Sequence, residues 1–186
     1  METHMENNKM LYSHVSVDCV LLGVNEDKLC VLLIERQMDN SDEKRYKLPG
    51  SLIFENEDLD TAAHRVFNEA TGLKRVPLKQ FRSFGSPSRT KNKDDMQWLE
   101  NAMKLKIERI VTVAYLALSK IGRKSNPTNK YNSLAWFPVD ALPSLPFDHK
   151  EIIEAAVEEI REWVEKEPSI IFDYLPLKFT AYQLRR

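Results

Sequence analysis

Pro49-Gly50-Ser51-Leu52-Ile53-Phe54-Glu55-Asn56-Glu57, then Asp58 to His64, then Arg65-Val66-Phe67-Asn68-Glu69-Ala70-Thr71-Gly72-Leu73, is the stretch whose reading decides the fold. Leu59, Ala62, Ala63, Val66, Phe67 and Ala70 recur at helical spacing and define one apolar face. Asp58 stands where a side-chain oxygen can satisfy the free N–H groups of a helix start. Gly72 stands where the chain must enter the left-handed region to stop the helix. The stretch therefore reads as loop, helix, loop.

Strands flank it on both sides. Val15, Val17, Cys19 and Leu21 alternate with Ser16, Asp18 and Val20, the period-2 pattern of a strand. Asn25-Glu26-Asp27-Lys28 makes a turn into Leu29-Cys30-Val31-Leu32-Leu33-Ile34, a strand buried on both faces. Beyond the helix, Val76 to Phe84 reads as extended, and Gly85-Ser86-Pro87 breaks it. Ser88 to Glu108 is a polar insertion with a short helix over Asp95 to Met103, of the kind that is functional or flexible. Arg109 to Leu118 reads as a buried central strand, residues 122–132 as loop, and Leu134 to Val139 as a further strand. Asp148 with Glu151 three residues on forms a capping box for a helix striped by Ile152, Ile153, Ala156, Val157, Ile160, Trp163 and Val164 and ended by Pro168.

At 186 residues the chain suits one domain with a substantial core. Its 27 basic and 28 acidic residues nearly cancel, which argues against a nucleic-acid surface spread over the whole chain. No apolar run is long enough for a membrane helix, and the start lacks a basic-then-apolar signal. Cys19 and Cys30 lie in apolar stretches without metal-like spacing and read as buried free thiols of a cytoplasmic protein. Residues 1–10 read as a disordered leader, 11–168 as the folded domain, and 169–186 as a separate segment.

The central stretch resembles the Nudix box, G-x5-E-x7-R-E-U-x-E-E-x-G-U with U bulky and apolar. Gly72 sets the register: Ser51 falls on the first Gly, Glu57 on the loop Glu, Arg65 on the helix Arg and Glu69 on the second helical Glu, while Phe67 and Leu73 fill the apolar positions. The resemblance implies an α/β fold, a mixed β-sheet sandwiched between helices. In that family three helical carboxylates on one face bind Mg²⁺ or Mn²⁺, which bridges a pyrophosphate while water is activated. Here two of the three are replaced, by Val66 and Ala70. One carboxylate does not reproduce the site, so Glu57, Arg65 and Glu69 are read as vestigial and no cofactor is required. A divergent hydrolase remains the alternative, with the metal on Glu69 and Glu57 and a carboxylate lent by Asp94, Asp95 or Glu100. Arg65 and Glu69, four apart, read equally as a helical ion pair or as binding residues.

A narrower resemblance covers about residues 12–186. Phe84-Gly85-Ser86-Pro87-x-Arg89, Arg109 to Tyr115, and Phe147-Asp148-His149 are similar to Nudix-related transcription regulators of the NrtR and AraR type. Phe172 to Leu184 resembles their linker into a winged helix, here truncated. The resemblance implies a sensor domain for a small effector, ADP-ribose-like or a sugar, with DNA bound through the winged helix of a homodimer. Arg36, Arg82 and Arg89 flank the box and are read as phosphate contacts, set against the plainer reading of solvated arginines. Gly50 joins them in the ligand-binding set, although a backbone requirement explains it as well. His64 and His149 are read as structural, and Asp148 as a cap before a site residue. A plain dimerisation domain is the third possibility.

Overall fold

A computed structural model describes residues 11–25, 28–36, 44–74, 76–121 and 133–169. The expected leader over 1–10, the loop at 122–132 and the segment from 170 onward lie outside the described residues. The hairpin forms as expected. β1 (Leu11–Asn25) and β2 (Lys28–Arg36) pair antiparallel from Leu22↔Val31 to Asn25↔Lys28.

Two short strands escaped the sequence pattern. β3 (Arg45–Lys47) pairs with the end of β2, and β4 (Gly50–Phe54) pairs with β1 through Asp18↔Gly50 and Ser16↔Leu52. Neither is long enough to show a period of its own; neighbouring strands impose the extended backbone. Next come α1 (Leu59–Thr71), β5 (Lys79–Phe84), a 3-10 turn at Pro87–Thr90 and α2 (Lys93–Met103). β6 (Val111–Lys120), β7 (Leu134–Pro138) and α3 (His149–Lys166) follow. The strand order is β3-β2-β1-β6-β5, with β4 on β1 and β7 on β2. β1 and β6 run parallel and the other pairs antiparallel, so the sheet is mixed.

Alternation along β1 and β6 sorts the core into two layers. Val17, Cys19, Leu21, Val113 and Tyr115 meet Ala62, Ala63, Val66 and Phe67 of α1. Val20, Leu22, Ala114 and Leu116 meet Ile152, Ile153, Ala156 and Ile160 of α3. The sheet is thus sandwiched between helices, the α/β/α arrangement that the sequence resemblance implies. Asp58 Oδ1 caps α1 by accepting the Thr61 N–H at 2.7 Å, and Gly72 ends it at φ 72°. Both cysteines are buried and free. Among the described residues no helix is long and apolar enough to cross a membrane.

Two local readings need correction. The insertion is no loose excursion: Met96, Leu99 and Met103 of α2 pack with Leu52, Ile107 and Ile110 in a third small core. The Asp148–Glu151 capping box does not form either. Asp148 sits at the N-cap position of α3 but makes no side-chain cap bond, because its carboxylate turns to Arg89 instead. A full guanidinium charge outbids a backbone amide for that oxygen.

Candidate functional site

The turn from β4 into α1 is held by one carboxylate. Glu57 Oε1 accepts the Phe54 N–H at 2.8 Å, and Arg65 Nε reaches Glu57 Oε2 at 3.0 Å. Arg65 Nη2 also donates to Leu52 O at 3.2 Å, and the guanidinium lies 4.1 Å over the Phe54 ring. Its contact with Glu69 is longer, 3.4 Å, and solvent-facing. Of the two readings left open for Arg65, the geometry favours an ion pair, chiefly with Glu57 rather than with Glu69. Both members of that pair are spoken for by the turn.

Val66, Glu69 and Ala70 of α1 line a cleft of about 510 Å³. Residues of β1, β4 and α2 line it as well, Trp98 among those of α2, together with Arg36, Lys47 and Phe147. The oxygen-rich cage that Mg²⁺ needs is not formed by these residues. Val66 and Ala70 offer methyl groups, and Glu57 is tied to Arg65 and the Phe54 amide. Among the described residues no three of His, Cys, Asp and Glu gather closely enough to hold a metal ion. The insertion carboxylates are engaged elsewhere. Asp95 takes Arg36 Nη1 at 2.6 Å and the Phe147 N–H at 3.3 Å, and Glu100 takes the Ile107 N–H at 2.9 Å. Asp94 lies in the exposed first turn of α2.

A buried charge network forms part of the cleft wall. Arg89, 5% exposed, donates from Nε to Asp148 Oδ1 at 3.1 Å and from Nη2 to Asp18 Oδ2 at 3.4 Å. His149 Nδ1 accepts the Leu48 N–H at 3.2 Å, which assigns the ring proton to Nε2, 3.6 Å from Asp18 Oδ1. Gly50 is required here: a Cβ on it would come within 1.9 Å of Asp18 Oδ1. Burial alone would raise the Asp18 carboxyl, but the facing His149 ring N–H and the Arg89 guanidinium hold it below the usual range.

Burial pushes the His149 imidazole down to about 4, against the pull of Asp18. A histidine kept neutral in the fold but protonated in the unfolded chain weakens the fold as pH falls between its two pKa values. Stability is therefore expected to drop from pH 6.5 toward 4 by on the order of 3 kcal/mol from this group. Denaturation midpoints measured across that window check it, and His149→Gln should flatten the slope.

Of the residues that the sequence marks for ligand contact, Arg36, Gly50 and Arg89 come together at the cleft. Arg82 does not: it lies on β5, half exposed, 3.8 Å from Glu158 of α3 and outside the cleft lining. Arg36 and Arg89 are buried rather than solvated. Arg36 stacks 4.0 Å over Trp98, and its Nε is buried without a partner among the described residues. The sequence reading missed Lys47, Trp98, Asp18 and His149 as cleft residues. One signal was available: Asp18 interrupts an otherwise apolar strand, and a carboxylate there needs a buried partner.

This mixed sheet between two helices, with a strand–turn–helix clamped by Arg65 and Glu57, defines a Nudix-type domain. The NUDIX domain family matches residues 12–158, and the chain belongs to that family. It is 26% identical over 176 residues to the "ADPR responsive transcriptional repressor NtrR" of Acinetobacter baylyi, covering 92% of this chain and 63% of that one. Its fold is similar to a MutT/nudix family protein from Enterococcus faecalis (25% identity, TM-score 0.63, 90% of this chain and 69% of that one). It is also similar to Shewanella oneidensis NrtR (25% identity, TM-score 0.60, 82% of this chain and 64% of that one). The similarity to NrtR-type regulators read from the sequence thus recurs in sequence and in fold. The chain spans less than two-thirds of the length of either regulator.

Proposed function

We propose that this chain is the effector-binding module of an NrtR-like transcriptional regulator, taking a nucleotide-sugar of the ADP-ribose class in the cleft and leaving it intact. The observation that carries the reading is the pair Val66 and Ala70. They turn the cation-holding face of α1 into a wall of methyl groups beside a cleft of about 510 Å³, within the usual range for small ligands.

Without a cation, Glu69 repels a diphosphate, so the phosphates sit toward the cationic lining residues Arg36 and Lys47. There Arg36 Nε is a buried donor with no acceptor among the described residues, and a phosphoryl oxygen would satisfy it. Gly50 leaves room for the buried Asp18 carboxylate, and Arg89 acts at the cleft wall by fixing Asp18 and Asp148. A nucleotide-sugar is favoured by the relative named as ADPR responsive. In this reading DNA is met through a winged helix and two copies pair.

Titration with ADP-ribose in the presence of Mg²⁺ tests the proposal. Binding is expected to raise the melting temperature, by the equivalent of about 2.7 kcal/mol at a hundred times Kd, with no AMP released. AMP release abolished by Glu69→Gln would replace the sensor with the hydrolase. No shift across a panel of nucleotides and sugars would leave a domain without a small effector.

A further inference from the structure

We infer that Lys47 captures its ligand covalently: its ε-amine condenses reversibly with the free aldehyde of a reducing sugar held in the cleft. The inference rests on the effector reading above, because a sugar such as the terminal ribose of ADP-ribose carries that aldehyde in its open-chain form.

Lys47 is the one lysine among the described residues that line the cleft. Its Nζ is fixed by two main-chain acceptors, Gly50 O at 3.0 Å and Leu48 O at 3.2 Å, and forms no ion pair among the described residues. The two other cationic residues of the cleft are guanidiniums already bound to carboxylates, Arg36 to Asp95 and Arg89 to Asp148 and Asp18. An arginine cannot give up its proton to become a nucleophile, whereas a buried lysine readily does.

The groups facing Lys47 agree. Burial brings its ammonium down to about 8; Asp18 of β1 pulls the other way, and Arg36 of β2 lowers it further. His149 of α3 is neutral at pH 7 and the Cys19 thiol stays protonated, so neither adds charge. At pH 7.5 such a lysine holds about 200-fold more free amine than an exposed one.

The step balances without an added reagent. The neutral amine attacks the aldehyde carbon; the new C–N bond forms as the C=O π pair moves to oxygen, and proton transfer gives the carbinolamine. The hydroxyl takes a proton from solvent and departs as water as the nitrogen lone pair forms C=N, and the remaining N–H proton returns to solvent, leaving the imine Lys–N=CH–R. Sugars with a substituted anomeric carbon, as in a dinucleotide or a nucleoside diphosphate hexose, have no aldehyde to offer. The cleft thereby separates two ligands that share the same nucleotide.

The test traps the imine. The full chain is incubated with ADP-ribose, or with ribose 5-phosphate, and cyanoborohydride, and the adduct is located by peptide mass mapping, which needs no variant. Modification at Lys47 is expected to exceed that of exposed lysines such as Lys150 by about tenfold, to rise with pH through 8, and to vanish in Lys47→Arg. Adducts spread evenly over surface lysines overturn the inference. Calorimetry without reductant, using ADP-ribose and the blocked ADP-glucose, separates the two levels. ADP-ribose that binds but leaves Lys47 unmodified defeats capture while the effector reading stands. An absence of binding by either nucleotide, with no Lys47 adduct, defeats both. A ribose 5-phosphate adduct at Lys47 without nucleotide binding upholds capture and removes the nucleotide.

Discussion

Arg89→Met is expected to cost about 3–5 kcal/mol of stability, because it strands two buried carboxylates. Asp18 and Asp148 are 6% and 8% exposed, and Arg89 is the cation they share. In a 186-residue chain that loss corresponds to a fall in melting temperature on the order of 10 °C. The pH dependence carries the signature. Stranded carboxylates relieve themselves by taking up protons, so the deficit against wild type should shrink as pH falls. Arg89→Met combined with Asp148→Asn should recover part of the loss, since only one charge then remains unpaired. Thermal and urea denaturation at two pH values check all three statements. A variant that keeps its stability but loses ADP-ribose affinity would return Arg89 to the role the sequence suggested, a direct phosphate contact.

That contrast shows where sequence reading worked and where it failed. The α1 helix was legible in full, because its signals are local: an apolar stripe, an N-cap Asp58 and a stop at Gly72. The alternation of β1 was legible too, since it puts Val17, Cys19 and Leu21 on one face without knowledge of any partner; β6 was legible only as a buried strand. Arg36 and Arg89 line the cleft, but buried against carboxylates rather than solvated. Arginines in polar, loop-like sequence look solvated until the chain folds Asp95 and Asp148 against them, each 59 positions away. Asp148 failed for the same reason in reverse. Its local pattern satisfies every rule for a cap, and a tertiary partner overrides it. Lys47 carried no local mark at all, because its character comes from Asp18, Arg36 and two backbone carbonyls that only the sheet brings together. The box itself was legible as an absence, in Val66 and Ala70.

Writing the carboxylates back into that absence should give the chain a metal site. In Val66→Glu/Ala70→Glu the new side chains join Glu69 at relative positions 0, +3 and +4 on one face of α1, all lining the cleft. Val66 and Ala70 are 3% and 7% exposed, so without metal the substitutions crowd three anions against a packed wall. A loss of about 2–4 kcal/mol is expected in that state. Mg²⁺ then has a reason to bind, since three carboxylates and its retained waters satisfy a preference for oxygen. With a Kd near 1 mM, 10 mM Mg²⁺ returns about 1.4 kcal/mol, or about 4 °C in melting temperature. The wild-type chain, with one carboxylate on that face, should show no such shift. The comparison isolates the two methyl-bearing positions as the cause, because nothing else in the cleft differs. A wild-type chain that is itself stabilised by Mg²⁺ to the same extent, with the response lost in Glu69→Gln, would mean that α1 still holds its cation through ligands other than residues 66 and 70.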